Sequence, residues 1–192
     1  MKDKRTLLLN LTFFGVAAAA FAQTRVPGPD FQITKIAPNF ISSPQFTYAG
    51  AGQYQTDQRD KWLEVEVTFS ATPEFTDELS LKYFILVNGN LLTGEVTHRN
   101  IPAGRENRSV MYVPPKTLQR LMLGKTITVN AVQNVAVQLM QQGALKSELS
   151  LNRAPAQWYA TTPQVGGLAL NKNETPFAPL YWDRYCQIKT AR

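Results

Sequence analysis

The sequence predicts an all-β fold, an antiparallel β-sandwich with one short helix and a C-terminal aromatic extension. Three observations point to it. Apolar side chains alternate with polar ones in several separate segments, Asn88-Gly89 joins two of these segments as a hairpin turn, and only one short stretch has helical character.

The elements follow in chain order. Lys2, Lys4 and Arg5 precede an apolar run from Leu7 to Phe21, which ends in Ala20-Phe21-Ala22 before Gln23. This charged, apolar, small-residue order predicts a signal peptide over residues 1–22, cleaved after Ala22. Asn10 and Thr12 interrupt the run, and it falls short of the roughly 20 apolar residues of a membrane span, so no transmembrane helix is expected in the mature chain. A lipoprotein would need cysteine at the cleavage point, but the single cysteine is Cys186, and the processing pattern of a type IV pilin is missing.

Phe31 to Ile36 reads as a weak strand, and Pro38 to Asp60, with Tyr48, Gly50, Gly52 and Tyr54, as a polar loop carrying a short edge strand. Trp62 to Phe69 puts Leu63, Val65, Val67 and Phe69 on one side and Glu64, Glu66 and Thr68 on the other, a half-buried strand. Leu79 to Val87 repeats the pattern. Asn88 and Gly89 both tolerate positive φ, so Leu91 to His98 should pair back antiparallel. Ser109 to Val113 is another weak strand, and Pro115 to Leu123 is the helix, with proline suited to the first turn.

From Ile127 to Leu139 the odd positions are apolar except Gln133, which predicts one long strand bulged or turned near Gln133-Asn134. Gln141-Gln142-Gly143 turns the chain into a strand from Leu145 to Leu151. Beyond it, Ala154 to Thr175 is rich in Ala, Gly, Pro and Asn, and the chain ends in Phe177, Tyr181, Trp182 and Tyr185. This tail fits a strand with Leu180, Trp182 and Ile188 inward, and Tyr181, Tyr185 and Ile188 also fit helical spacing. The domain plan is a signal peptide over 1–22, a sandwich over 23–152, and an extension over 153–192 packed on the sandwich or on a partner.

The 192-residue chain has a formal net charge of +6. Removing residues 1–22 takes away three basic and one acidic side chain and leaves +4, so part of the basicity belongs to the leader. A mature chain of this length buries enough surface to need no disulfide, and one cysteine forms no internal bridge.

No catalytic constellation is apparent. His98 is the only histidine, with no nucleophile motif beside it, so it reads as structural. One histidine and one cysteine are too few for zinc. Glu64 and Glu66 could suit glycoside hydrolysis, but strand alternation explains them as a solvated face. Asp57, Asp60, Asp77 and Glu78 lack calcium-loop spacing. No metal and no cofactor are expected.

His98, Arg99, Arg105, Asn107 and Arg108 should share one loop that could meet an anionic surface, although a solvated loop is the simpler reading. No aromatic side chains interleave there for base stacking, so nucleic acid is not expected. The candidate interaction residues are therefore Phe177, Tyr181, Trp182 and Tyr185 of the tail and Arg99, Arg105 and Arg108 of the basic segment. Tryptophan and tyrosine are enriched in interface hot spots.

The leader ending Ala20-Phe21-Ala22, the sandwich from about Phe31 to Leu151 with Trp62-Leu63-Glu64-Val65-Glu66-Val67, and the aromatic tail together resemble the secreted immunoglobulin-like family encoded in the type IV pilus gene cluster of Akkermansia. The resemblance implies an immunoglobulin-like sandwich without enzymatic activity, at the outer membrane or cell surface and associated with pilus-like structures. It supplies no site motif, so no functional residue carries over. The lone cysteine departs from disulfide-bonded antibody domains. The expectation is an exported binding or assembly module located in the periplasm, on the outer membrane surface or outside the cell. Its partners would be surface proteins, pilus subunits or a second copy of itself. The alternatives are a periplasmic carbohydrate-binding module or small hydrolase using loop carboxylates, and an exported chaperone-like adaptor.

Overall fold

The computed structural model describes residues 28–46, 60–124 and 127–190. The expected signal peptide, most of the expected loop over 38–60, and Asp57 lie outside the described residues.

Two long strands organise the fold. β2 (Lys61–Val87) and β3 (Asn90–Val113) form an antiparallel hairpin around Asn88 and Gly89, whose φ angles of 46° and 78° are those the hairpin turn requires. A straight 27-residue strand would run about 90 Å, far beyond the width of such a domain, so the ribbon has to bend. The pairing of β2 with β3 slips between Phe69 and Ala71 and again between Ala71 and Phe75. Below this region β1 (Phe31–Ser42) pairs with β2 over residues 61–71. Above it β4 (Val132–Gln141) pairs with β2 over residues 80–87, and β5 (Ala144–Ser150) follows as an outer strand. The segments read from the sequence as four separate strands, 62–69, 79–87, 91–98 and 109–113, are thus the two ends of two continuous strands.

The alternation determines what the bend encloses. Leu63, Val65, Val67 and Phe69 from one half of β2 join Leu79, Leu81, Tyr83, Ile85 and Val87 from the other, with Val135, Val137 and Leu139 of β4, in one hydrophobic cluster. This is a sandwich-like, all-β architecture with its main core enclosed by the bend. The only α-helix among the described residues, α1 (Pro115–Met122), closes one end of the core with Leu118 and Met122. It stops at Leu123 and Gly124, both with positive φ.

Several expectations are corrected. Pro38 to Ser42 is not loop but the continuation of β1, and Pro38 pairs with Val65 on a strand whose far edge makes no ladder there, where proline is tolerated. The basic segment 98–108 is not a loop either. It lies within β3, held by the fully buried Ile101. The long strand expected from Ile127 begins only at Val132, because Val129–Ala131 forms a 3-10 turn whose Ala131 carbonyl accepts from Asn88 N at 3.1 Å. The irregularity near Gln133 is present: Leu86 pairs with Asn134 and Val87 with Val132, leaving Gln133 as the extra residue.

After β5 the chain returns over the outer faces. A 3-10 turn, Trp158–Thr161, stacks Tyr159 on Phe84 at 3.9 Å. β6 (Gln164–Gly166), β7 (Leu170–Asn171) and β8 (Gln187–Ile188) add short pairings along β3. Between β7 and β8 the tail is neither the strand nor the helix its spacing allowed. A capped 3-10 turn, Lys172–Glu174, leads into successive turns closed by Ala178 N to Thr175 O, Leu180 N to Phe177 O and Arg184 N to Tyr181 O. No helix of the described residues is long and apolar enough to cross a membrane.

Candidate functional site

The even-numbered side chains of β2 from Trp62 to Ser70 face away from the core, and the tail lies over the first three. Trp62, Val110, Tyr112, Phe177 and Tyr185 form a second buried cluster. The Phe177 ring stacks on Tyr112 at 4.7 Å and meets Trp62 edge-on at 5.6 Å, both favourable aromatic geometries. Trp62 Nε1 donates to Ser43 Oγ at 2.8 Å, so the indole is satisfied in this partly closed setting.

Polar contacts continue the seam. Arg184 donates to both carboxylate oxygens of Glu66 at 2.7–3.0 Å, and Tyr185 Oη donates to Glu66 Oε2 at 2.9 Å. Tyr112 Oη donates to Glu64 Oε2 at 3.1 Å. Burial raises the Glu64 carboxyl above its usual range, and the Tyr112 hydrogen bond opposes the rise. The expectation that these two glutamates form a solvated face is therefore corrected: both are engaged beneath or beside the tail. Burial likewise pushes the Tyr112 and Tyr185 hydroxyls upward, so both remain protonated donors.

His98 anchors the end of the tail from the core side. Its Nε2 lies 2.6 Å from Ser109 Oγ, its Nδ1 lies 3.0 Å from the Cys186 carbonyl oxygen, and Tyr83 Oη donates to Ser109 Oγ at 2.7 Å. A carbonyl only accepts, so Nδ1 carries the proton, Ser109 donates to Nε2, and the chain runs in one direction from Tyr83 to Cys186. His98 and Ser109 are fully buried. Burial holds the imidazole well below its ordinary value, to about 4, against the smaller opposing effect of the Cys186 and Gln187 backbone. The Cys186 thiol is pushed upward by burial, which removes thiolate character.

The tail aromatics divide into two pairs. Phe177 and Tyr185 are anchors, whereas Tyr181 and Trp182 are displayed, with Trp182 81% exposed. Tyr181 occupies the left-handed region at φ 54°, a conformation few side chains adopt without surrounding constraint. Trp182 is thus not part of an inward row with Leu180 and Ile188, since the turn at 181–184 points it away. Beside Tyr181 opens a concavity of about 280 Å³, lined also by Ile41, Pro44, Phe177 and Leu180 among others.

The three arginines also separate. Arg99 faces Glu78 with Nε at 3.8 Å, and Arg108 lies 3.3 Å from Glu106. Arg105 and Arg108 line one concavity together with Arg184 of the tail, which Arg99 does not reach. The contacts that sequence reasoning missed are those of Glu66, Arg184 and the Tyr83–Ser109–His98 chain. Glu66 and Arg184 lie 118 positions apart, and no local pattern announces such a pair. Among the described residues no group of three or more His, Cys, Asp or Glu side chains could hold a metal ion.

These features define an all-β protein whose C-terminal segment is pinned across the outer face of one layer and displays two aromatic rings. A family profile matches residues 22–192, nearly the whole chain, and the chain belongs to that family. The crystal structure of a protein from Akkermansia muciniphila is similar, with a TM-score of 0.72 and 22% identity, covering 88% of this chain and 98% of that one. At that identity the likeness establishes a common fold. A comparison with curated proteins finds no match.

Proposed function

We propose that this chain is an exported, non-catalytic, immunoglobulin-like module that binds or assembles with protein partners at the bacterial surface, in association with pilus-like structures or the outer membrane. Residues 153–192 act as an extension of the 23–152 sandwich and carry the contact face. One observation supports this most directly: Trp182 and Tyr181 stand in solvent on a segment fixed by Phe177, Tyr185 and the Glu66–Arg184 pair. An exposed tryptophan on a rigid turn loses little freedom when it enters a partner's pocket. Catalysis by the Glu64 and Glu66 pair is disfavoured, because both carboxylates already serve as acceptors for Tyr112, Arg184 and Tyr185.

A photo-crosslinking amino acid at position 182, introduced into the protein in its native cell, tests the reading. It should yield a defined adduct with an envelope or pilus protein or with a second copy, and Tyr181→Ala should weaken that adduct without altering thermal stability. A chain retained in the cytoplasm, or a position-182 probe that captures nothing while the protein is folded and exported, overturns it.

A further inference from the structure

The tail lies over only part of the outer face it crosses. Beyond Arg184 that face stays open, and two adjoining concavities of about 440 and 460 Å³ cross β1, β2 and β3 there. They share Thr34 and Arg105, so they form one groove with Arg105 at its middle.

One end of the groove is cationic. Lys35, Arg105, Arg108 and Arg184 line it against two carboxylates, Glu66 and Glu106. Those carboxylates are already committed, Glu66 to Arg184 and Glu106 to Arg108. Lys35 and Arg105, both exposed, have no ion-pair partner among the described residues. The other end is lined by hydroxyl and amide side chains: Gln32, Thr34, Ser70 and Thr72. Thr34 Oγ1 donates to the Thr68 carbonyl at 3.1 Å and Ser70 Oγ to the Gln32 carbonyl at 3.4 Å, which leaves both hydroxyl oxygens with acceptor capacity only.

We infer that this groove binds an anionic glycan, a chain whose sulfate or carboxylate groups meet Lys35 and Arg105 while its hydroxyls donate to Thr34 and Ser70. The shape and lining select this ligand over other polyanions. A membrane surface is flat and rewards inserted apolar side chains, yet the groove is concave. None of the exposed large apolar residues (Phe75, Leu123, Leu145, Val165, Tyr181, Trp182) lines it. Single-stranded nucleic acid is held by stacking on aromatic rings, and no aromatic side chain lines either concavity. A row of acceptors beside two unengaged cations fits a polymer that carries both hydroxyls and charge. The inference does not rest on the Trp182 face.

The test is calorimetric or fluorescence titration of the purified protein with a sulfated dextran oligosaccharide, neutral dextran of equal length, inorganic sulfate, and phosphatidylglycerol vesicles. Saturable binding of the sulfated oligosaccharide is expected, stronger than that of inorganic sulfate and absent for neutral dextran. Arg105→Ala and Lys35→Ala should each weaken it roughly ten-fold, as loss of a charge-assisted contact does. Both positions are exposed, so circular dichroism should show these variants folded. Arg120→Ala removes an equal charge from α1 and should leave binding unchanged. The inference fails if the sulfated oligosaccharide does not bind, if Arg120→Ala weakens it as much as Arg105→Ala, if free sulfate binds equally well, or if vesicles bind as tightly as the oligosaccharide.

Discussion

Glu66 accepts four hydrogen bonds from the tail while its side chain is only 13% exposed, so it contributes more than an ordinary surface carboxylate. Glu66→Ala should destabilise the protein by about 1–3 kcal/mol, because the bidentate arginine and the Tyr185 hydroxyl lose a charged acceptor. Urea titration measures this, and Arg184→Ala, made in parallel, should give an effect of the same sign. His98 gives a pH-dependent prediction. Its folded value of about 4 lies below the value of about 6.5 expected for the unfolded chain. The stability it contributes is therefore fully present above pH 6.5 and is lost as pH falls from 6.5 toward 4, by at most on the order of 3 kcal/mol. Because His98 is the only histidine, His98→Gln should flatten that part of the stability profile and leave only the carboxylate titrations below it. The structural reading of His98 was available from its isolation in the sequence. Its partners were not, since Ser109 lies eleven positions away on the same strand, across the bend of the β2–β3 hairpin, and Cys186 reaches it beside the pairing of β3 with β8.

At the scale of elements, period-two alternation was enough to place the inward faces of β2 and β4, because burial on one side of a sheet leaves a direct mark on the sequence. Val67 has no exposed surface, and Val67→Asp should cost more than about 3 kcal/mol by burying an unpaired charge. Thr68→Asp, one residue on and facing outward, should change the urea midpoint by much less. Equal effects would mean that the register of β2 is wrong. What alternation could not reveal is continuity. The stretch from Ala71 to Glu78 loses strict periodicity where the hairpin bends, and a bend with register slips looks like a loop when read one strand at a time. Strand 3 hid its middle for the same reason: His98 to Arg108 reads as a polar, basic loop until Ile101 is seen to be buried and its neighbours paired with Phe75 to Glu78.

At the scale of the whole molecule, the residues after Ser150 lie over both outer faces, Tyr159 on Phe84 and Phe177 with Tyr185 on Trp62 and Tyr112. The large apolar residues of the outer faces are the physical reason for such a cover. Trp62, Phe84, Val110 and Tyr112 sit at positions where a simple two-layer sandwich would carry polar side chains, and leaving so much apolar surface in water is unfavourable. Burying each of Phe177 and Tyr185 contributes about 1.5–3 kcal/mol, and removing them also uncovers Trp62 and Tyr112 and frees Glu66. Deleting residues 176–192 should therefore take away much of the 5–15 kcal/mol that stabilises a typical domain, lowering the midpoint of thermal and urea unfolding sharply. Phe177→Ala, which keeps the rest of the tail, should cost about 3–5 kcal/mol. Trp182→Ala should stay within about 0.5 kcal/mol of the parent, because that ring already faces solvent. Measuring unfolding and assembly state together separates the two roles of the tail. If Phe177→Ala destabilises the monomer while Trp182→Ala alters only association, the buried rings hold the fold and the exposed ring meets the partner. A deletion that kept full stability but lost assembly would instead mean that Phe177 and Tyr185 belong in solution to a neighbouring molecule.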